Sequence, residues 1–326
     1  MSDRAGTGRS TPGSSLVART VFFGSGSFAV PILDALASMP GVRIEAVVSA
    51  PDRPVGRKAI PTATPVTARA RELGLPLIQP ARVRTPDFVA ALQAIAPDLI
   101  VLADYGQLIP RVLLDLPPRG FLNLHPSALP RHRGAAPIPA TILAGDRHSA
   151  VTLMVVTEEM DAGPVVAVEP LEVRRDDTAP ALEERAAAAA AGLLRRALPD
   201  WLAGRLAATP QPSEGVTLTR PLRRQDGRLD PKRAAVELER QIRAYQPWPG
   251  SYLESVVGRL IVWSATVAPG EPGEEAGLLA AHGEGLALST GEGRLCLGDV
   301  QPAGKRRMTS AEFRRGYQVI GVKVAE

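Results

Sequence analysis

Residues Thr20 to Met39 read TVFFGSGSFAVPILDALASM: a short apolar run, a glycine-serine turn, then a stretch with helical apolar spacing. The run TVFFG is expected to form a buried strand, and SFAVPILDALASM the helix after it. Strand, tight turn and helix in that order open a βαβ unit, the building block of a parallel sheet. The turn, Gly24-Ser25-Gly26-Ser27-Phe28-Ala29, also satisfies the dinucleotide-binding pattern, with Ala in the third small position. A nicotinamide dehydrogenase is therefore the first hypothesis to weigh, with Asp52 near the end of the second strand as its ribose ligand. Asp52, however, sits in PDRPVGR, where prolines on both sides and two arginines make a rigid basic loop. Glycines after a first strand serve equally well to let a helix turn back closely on a sheet, or to hold any anion at a helix N-terminus.

Working outward, RIEAVVSA and DLIVLAD read as strands, TPVTARARELG and DFVAALQAI as helices, and FLNLH and AVTLMVV as further strands separated by a helix around PATILAG. This alternation predicts an α/β fold: a doubly wound, mostly parallel, Rossmann-like sheet covered on both faces. An Ala-rich helix from about Ala179 to Leu202 closes the unit. ATPQPSEG then breaks the pattern with prolines, a glycine and polar residues. Beyond it, one helical stretch around AAVELERQIRAY leads into the short strand-like pieces GRLIVWSATV, GLALST and RLCLGDV, spaced as in a small OB-like β-barrel. The expected division is a disordered tail over 1–19, a catalytic domain over 20–205, a linker over 206–222 and a C-terminal barrel over 223–326.

Length and composition agree. A chain of 326 residues exceeds what one hydrophobic core usually serves, and its apolar fraction of 45% is that of a globular protein. No window approaches the roughly 18 apolar residues of a membrane span, so no membrane partner is expected. The first 19 residues offer almost nothing to bury; being acid-poor and Arg-containing, they loosely resemble an organelle transit peptide. A single cysteine, Cys296, rules out an internal disulfide and a cysteine-rich zinc site, as suits a reducing cytoplasm. The four histidines, at 125, 132, 148 and 282, lack ligand spacing, so no metal is expected. Net charge is only +4. It is unevenly spread: Arg220 to Arg243 holds eight Lys/Arg against four acids, and Lys305 to Arg315 five against one. Such local surplus can steer a polyanion such as RNA, or be an ordinary solvated surface.

The chemistry concentrates in FLNLHPSALPRHRGAAP, Phe121 to Pro137. Strand residues two apart face the same way, so Asn123 and His125 project together while Leu122 and Leu124 face opposite. Pro126 ends the strand, which places both polar groups at its C-terminal end, the edge where open α/β sheets bind ligands. An amide donor and an imidazole can both stabilise a developing oxyanion. A carboxylate would orient the histidine and favour its cation. Asp161, in TEEMDAGPV after the next strand, is the candidate; Glu158 and Glu159 compete with it.

NLHPSALPRHRGAAPIPATILAGD followed by TLMVVTEEMDAGPV resembles the folate-dependent formyltransferases, whose shared catalytic trio of Asn, His and Asp falls on Asn123, His125 and Asp161. That family includes enzymes acting on glycinamide ribonucleotide, aminoarabinose and methionyl-tRNA. PDRPVGR looks like the basic loop of the tRNA-acting branch, and AYQPWPGSYLE, Ala244 to Glu254, resembles the signature of its C-terminal domain. The resemblance implies 10-formyltetrahydrofolate as formyl donor, held by Asp104, Tyr105, Gly106 and Gln107 and by Ser127, Ala128, Leu129 and Pro130, mainly through backbone groups. It implies initiator Met-tRNA as acceptor, met by Arg53, Arg57 and Lys58 at the entrance and by Arg223, Arg224, Lys305, Arg306 and Arg307 of the barrel, in a monomer. A small amine such as an amino-sugar nucleotide is the rival acceptor, and a catalytically silent RNA-binding protein the rival class. Three departures stand out: Ser25-Gly26 replaces a Gly-Thr-Pro-like turn, Asp104 stands where many relatives have a small residue, and Gly56-Arg57-Lys58-Ala59 carries less charge than the usual loop. Arg131, His132 and Arg133 are left between tRNA contact and structural anchoring, and Trp248 between stacking on a base and packing the linker against the barrel.

Overall fold

The apolar run at the first turn becomes an inner strand of a seven-stranded sheet in the computed structural model, which describes residues 17–55, 60–255, 258–271 and 273–324. Its strands are β1 (Ala18–Gly24), β2 (Val42–Val48), β3 (Leu77–Ile78), β4 (Leu99–Ala103), β5 (Phe121–His125), β6 (His148–Val155) and β7 (Val165–Glu172). They lie in the order β7-β6-β5-β4-β1-β2-β3. β1 to β5 are mutually parallel, whereas β6 pairs antiparallel with β5 and β7 with β6. The chain reverses its direction of travel across the sheet between β1 and β4, and such a switch point opens a crevice at the strands' C-terminal ends.

Helix α1 (Val30–Ala37) and the Ala-rich α2 (Ala179–Leu202) cover one face. Small side chains such as Ala186 and Ala190 let α2 lie close over Phe22, Val101, Leu122 and Leu124. The other face buries Val21, Phe23, Ile100 and Phe121 against Phe88, Leu92 and Leu113. Burying each large apolar side chain is worth about 1.5–3 kcal/mol, so the alternation along β1 and β5 fixes which residues face each layer. Phe23 meets Phe88, Tyr105 and Phe121 edge to face, with ring centroids 5.2–6.2 Å apart.

The C-terminal domain contains two four-stranded antiparallel sheets that share one core. Ser251–Ser255, Gly258–Val262, Asp299–Pro302 and Met308–Thr309 form the first; Ala265–Ala268, Arg294–Leu297, Gly285–Ser289 and Leu279–His282 form the second. Helix Ala235–Ala244 adds Leu238 and Ile242 to that core. Arg243 of the same helix donates to the Asp177 carbonyl at 2.9 Å, tying the domain to the first one.

Four local expectations change. Ala18 and Arg19, assigned to the tail, already belong to β1, where Arg19 donates to the Ile95 carbonyl; residues 1–16 lie outside the described part. β7 was not anticipated because Glu169 and Pro170 interrupt its apolar pattern. Proline is tolerated there because β7 is the edge of the sheet. The linker is bonded to the catalytic domain: Thr209 and Val165 exchange backbone hydrogen bonds at 2.8 Å, and Leu218–Thr219 pairs in parallel with Arg133–Gly134. Trp248 is 53% exposed, so its ring does not serve as the buried anchor between linker and barrel.

Candidate active site

Asn123 and His125 emerge from β5 on the face of Phe121, opposite Leu122 and Leu124, as the strand period requires. Both are buried, at 7% and 4% exposure. Asp161 reaches them from the loop between β6 and β7. Its Oδ2 stands 3.6 Å from His125 Nδ1, and Asn123 Nδ2 donates to its Oδ1 at 3.4 Å. Glu158 and Glu159, the rival carboxylates, are exposed, and Glu159 instead stands 3.7 Å from Arg133.

Asp161 holds its place through an uncommon backbone. Its φ is +51°, in the left-handed region that aspartate enters more readily than most residues. The carboxylate then accepts the Gly134 amide at 2.7 Å, while the Asp161 carbonyl turns the other way and accepts from Gln211 Nε2 at 2.8 Å. Gly134 has φ +111°, and a side chain there would sit 2.2 Å from the Thr219 carbonyl. Asp104 and His132 share the left-handed conformation, at φ +48° and +59°. Such residues persist where surrounding contacts over-determine them, and here they gather at the strand ends.

His125 donates from Nε2 to the His132 carbonyl at 3.1 Å, which leaves Nδ1 as the basic nitrogen facing Asp161. Burial pushes the imidazole below its ordinary value; the Asp161 carboxylate and the bond to the His132 carbonyl pull it back up, and the nearby His132 ring pushes it down. Desolvation and the Asp161 carboxylate thus act on the imidazole in opposite senses, with desolvation the larger.

Each residue of the basic run after β5 has a partner within the protein. Arg131 and His132 both grip Asp146, at 2.7 Å and 2.9 Å. Arg133, almost buried, donates to Gln211 Oε1 at 3.1 Å and 2.8 Å.

The Gly-rich turn shows why its pattern does not act as a dinucleotide site. A methyl group on Gly26 would sit 1.7 Å from Asp104 Oδ2, so the space over the second glycine is taken by a carboxylate of the protein itself. Asp104 is exposed as a residue, but its carboxylate is pressed against the turn; desolvation, then the charge of Glu183, pushes it up to about 6. Asp52 is engaged by Gln79 at 2.7 Å and Arg71 at 3.2 Å rather than free for a ribose.

The same architecture and the same trio bear on kinship. Residues 18–198 match the family model described as formyl transferase, and residues 221–318 the one described as formyl transferase, C-terminal domain. Methionyl-tRNA formyltransferase of Myxococcus xanthus is 42% identical over 301 residues, covering 92% of this chain and 96% of its own. That of Thermus thermophilus is 44% identical over 306 residues, covering 92% and 97%. The chain belongs to the methionyl-tRNA formyltransferase family. In fold it also resembles an N-formyltransferase from Helicobacter canadensis solved with folinic acid and dTDP-3-aminofucose, with TM-score 0.63 and 15% identity over 85% of this chain and 98% of that one. HypX from Aquifex aeolicus, solved with tetrahydrofolic acid, has TM-score 0.62 and 19% identity over 95% of this chain and 51% of that one.

In this family member the remaining expected residues fall into separate groups. Asp104 to Gln107 follow β4, and Ser127 to Pro130 follow β5, so the two segments leave neighbouring parallel strands side by side. The Tyr105 ring packs on Phe23 and burial pushes its hydroxyl up to about 12, while Gln107 Oε1 accepts the Val83 amide at 3.1 Å. Ser127 Oγ donates to the Arg131 carbonyl at 2.7 Å. The backbone of these segments is itself braced internally, with Gln107 N–H donating to the Tyr105 carbonyl, Ser127 N–H to the His125 carbonyl and Leu129 N–H to the Ser127 carbonyl; Gly106, Ala128, Leu129 and Pro130 add small or apolar surface beside them. Arg53 is exposed on a two-stranded ribbon with Ile60–Thr62, whereas Arg57 and Lys58 lie outside the described residues. Arg223, Arg224, Lys305, Arg306 and Arg307 are exposed. Arg306 pairs with Glu312, and Arg307 with Asp299 while lying 5.4 Å from the Trp263 ring. Among the described residues no cluster suits a metal ion and no helix is long and apolar enough to cross a membrane. Sequence reasoning missed Gln211, Thr217 and Thr219; their only signal was that polar hydrogen-bonding residues recur in a segment read as linker.

Proposed function

We propose that the protein transfers the formyl group of 10-formyltetrahydrofolate to the α-amine of methionine carried on initiator tRNA. The observation that supports this best is the meeting of Asn123, His125 and Asp161 at the sheet's ligand edge, in a chain that carries both domains of the family over nearly its full length. The residues suit a folate: segments 104–107 and 127–130 adjoin at the ends of β4 and β5 beside the trio, and internal bonds such as Gln107 N–H to the Tyr105 carbonyl and Leu129 N–H to the Ser127 carbonyl hold the two segments in shape. When bound, 10-formyltetrahydrofolate supplies an activated formyl group.

The protein's own part is electrostatic and positional. Asn123 Nδ2, held toward Asp161, donates to the formyl oxygen as negative charge develops on it. His125, neutral at rest, offers Nδ1 to the proton that the attacking amine must lose, either directly or through a water. The resulting imidazolium sits against the Asp161 carboxylate until its proton goes, directly or through a water, to the folate nitrogen that leaves as the formyl carbon–nitrogen bond of the donor breaks, giving tetrahydrofolate and the formylated amine. The Asp161 carboxylate is itself fixed by the Gly134 amide, so little reorganisation accompanies the charge change. Exposed Arg53, Arg223, Arg224, Lys305, Arg306 and Arg307 hold tRNA phosphates, the last two by exchanging surface ion pairs that are each worth at most about 1 kcal/mol. The enzyme works as a cytoplasmic monomer with no metal.

Incubation with 10-formyltetrahydrofolate and either Met-tRNA or an amino-sugar nucleotide tests this reading. Formylation of Met-tRNA alone is expected; formylation of the sugar nucleotide alone would overturn it.

A further inference from the structure

We propose that Gln211 is a positioning residue for the reaction, which holds Asp161 against His125 from the segment that joins the two domains. The role rests on the formyl-transfer reading, but the placement does not.

Gln211 uses its whole amide. Nε2 donates to the carbonyls of Asp161 and Gly163, each at 2.8 Å, so both of its hydrogens go to the loop that presents Asp161. Oε1 accepts two bonds from the guanidinium of Arg133, a side chain only 8% exposed as a residue. The residues on either side of Arg133 are themselves part of the site. The His132 carbonyl accepts from His125 Nε2, and the Gly134 amide donates to Asp161 Oδ2. Residues 132–134 thus set one end of the histidine and one oxygen of the aspartate. Gln211 closes the ring by fixing the aspartate's backbone to the same three residues.

The segment carrying Gln211 is built to keep it there. Thr209 pairs with Val165 on one side of it. On the other, Thr217 Oγ1 accepts the His132 amide at 2.8 Å, the Thr217 carbonyl accepts the Arg133 amide at 3.0 Å, and Thr219 Oγ1 donates to the Arg133 carbonyl at 3.1 Å. The chain from 209 to 219 is therefore a strap laid across the catalytic loops. A misplacement of about 1 Å at a reacting group can cost on the order of 10²-fold in rate. Asp161, left-handed and on a loop, has few other restraints on its carbonyl side.

The test uses the full-length protein with Gln211→Ala and Gln211→Glu. The glutamate can still hold Arg133 but has no N–H for the two carbonyls. Single-turnover formylation of Met-tRNA by 10-formyltetrahydrofolate is expected to slow about 10- to 100-fold in both variants. KM for Met-tRNA is expected to stay within about twofold, because the strap touches reacting groups rather than the tRNA face. NMR titration of labelled histidine is expected to show His125, which faces Asp161 and His132, moving to lower pH in Gln211→Ala as the carboxylate withdraws. A Gln211→Glu protein with wild-type rate overturns the proposal. So does a Gln211→Ala protein with lowered melting temperature but unchanged rate and unchanged His125 titration. Failure of the wild-type protein to formylate Met-tRNA would instead overturn the functional reading, and the titration would still decide the placement of Asp161.

Discussion

Asp161 Oδ2 stands 3.6 Å from His125 Nδ1, a half-buried carboxylate facing a buried imidazole whose other nitrogen is already committed. Burial has the larger effect on the imidazole and holds it below its ordinary value, with Nδ1 the nitrogen able to take a proton. The rate of formyl transfer should then fall as pH drops through a value below the ordinary 6.5 of an imidazole. Asp161→Asn removes the charge that pulls this value up, so the acidic limb of the pH–rate profile should move to still lower pH while the maximal rate falls. A limb above 6.5 in the wild-type protein, or one displaced upward in Asp161→Asn, would contradict the assignment.

Asn123→Ala should slow single-turnover formyl transfer by on the order of 10²–10³, the usual cost of one preorganised oxyanion donor, and His125→Ala by on the order of 10²–10⁴, the usual contribution of a positioned proton acceptor, with the fold intact by circular dichroism. A folded, fully active His125→Ala protein would sink the assignment of the site.

Asp104, raised to about 6 by desolvation and by Glu183, favours its protonated form in the folded chain. Its contribution to stability is thus full below the unfolded carboxylate value near 4 and is lost as pH rises through 6. Asp104→Asn should raise the melting temperature at pH 8 by on the order of 1–2 °C, the partial exposure of the residue keeping the effect small, and the gain should vanish by about pH 4. Thermal scans at the two pH values decide it.

Phosphate contacts by the exposed cations predict that Met-tRNA affinity falls steeply with salt. Lys305→Ala and Arg306→Ala should each weaken binding at low salt and reduce the slope of log K against log salt by about one. Filter-binding titrations in which the affinity of wild-type protein barely changes from low to moderate salt would refute the basic-patch argument.

The active strand was legible because a period of two is enforced by the pleat: Asn123 and His125 must share a face wherever FLNLH forms a strand. The Gly-rich turn was legible as strand-to-helix geometry but ambiguous as chemistry. Gly26 permits the close approach of either a pyrophosphate or a side chain, and only the fold brings Asp104, far away in sequence, into that space. β7 and the linker were misjudged for a related reason. Pro170 is acceptable only at an edge, and being an edge is a property of the sheet. Gln211 looked like one more polar residue between prolines, since the carbonyls it binds belong to the loop at Asp161 and Gly163.

Local pattern by itself therefore determined the βαβ alternation, the shared face of Asn123 and His125, and a resemblance strong enough to name Asp161 as their partner. The tertiary structure alone decided that burial lowers the His125 imidazole below its ordinary value, that residues 131–133 find internal partners in Asp146 and Gln211, and that a joining segment packs on the loop of Asp161. Periodicity and turn chemistry act over a few residues and can be read in order, whereas desolvation, ion pairing and the meeting of Gln211 with Asp161 depend on distances through space that no spacing along the chain encodes.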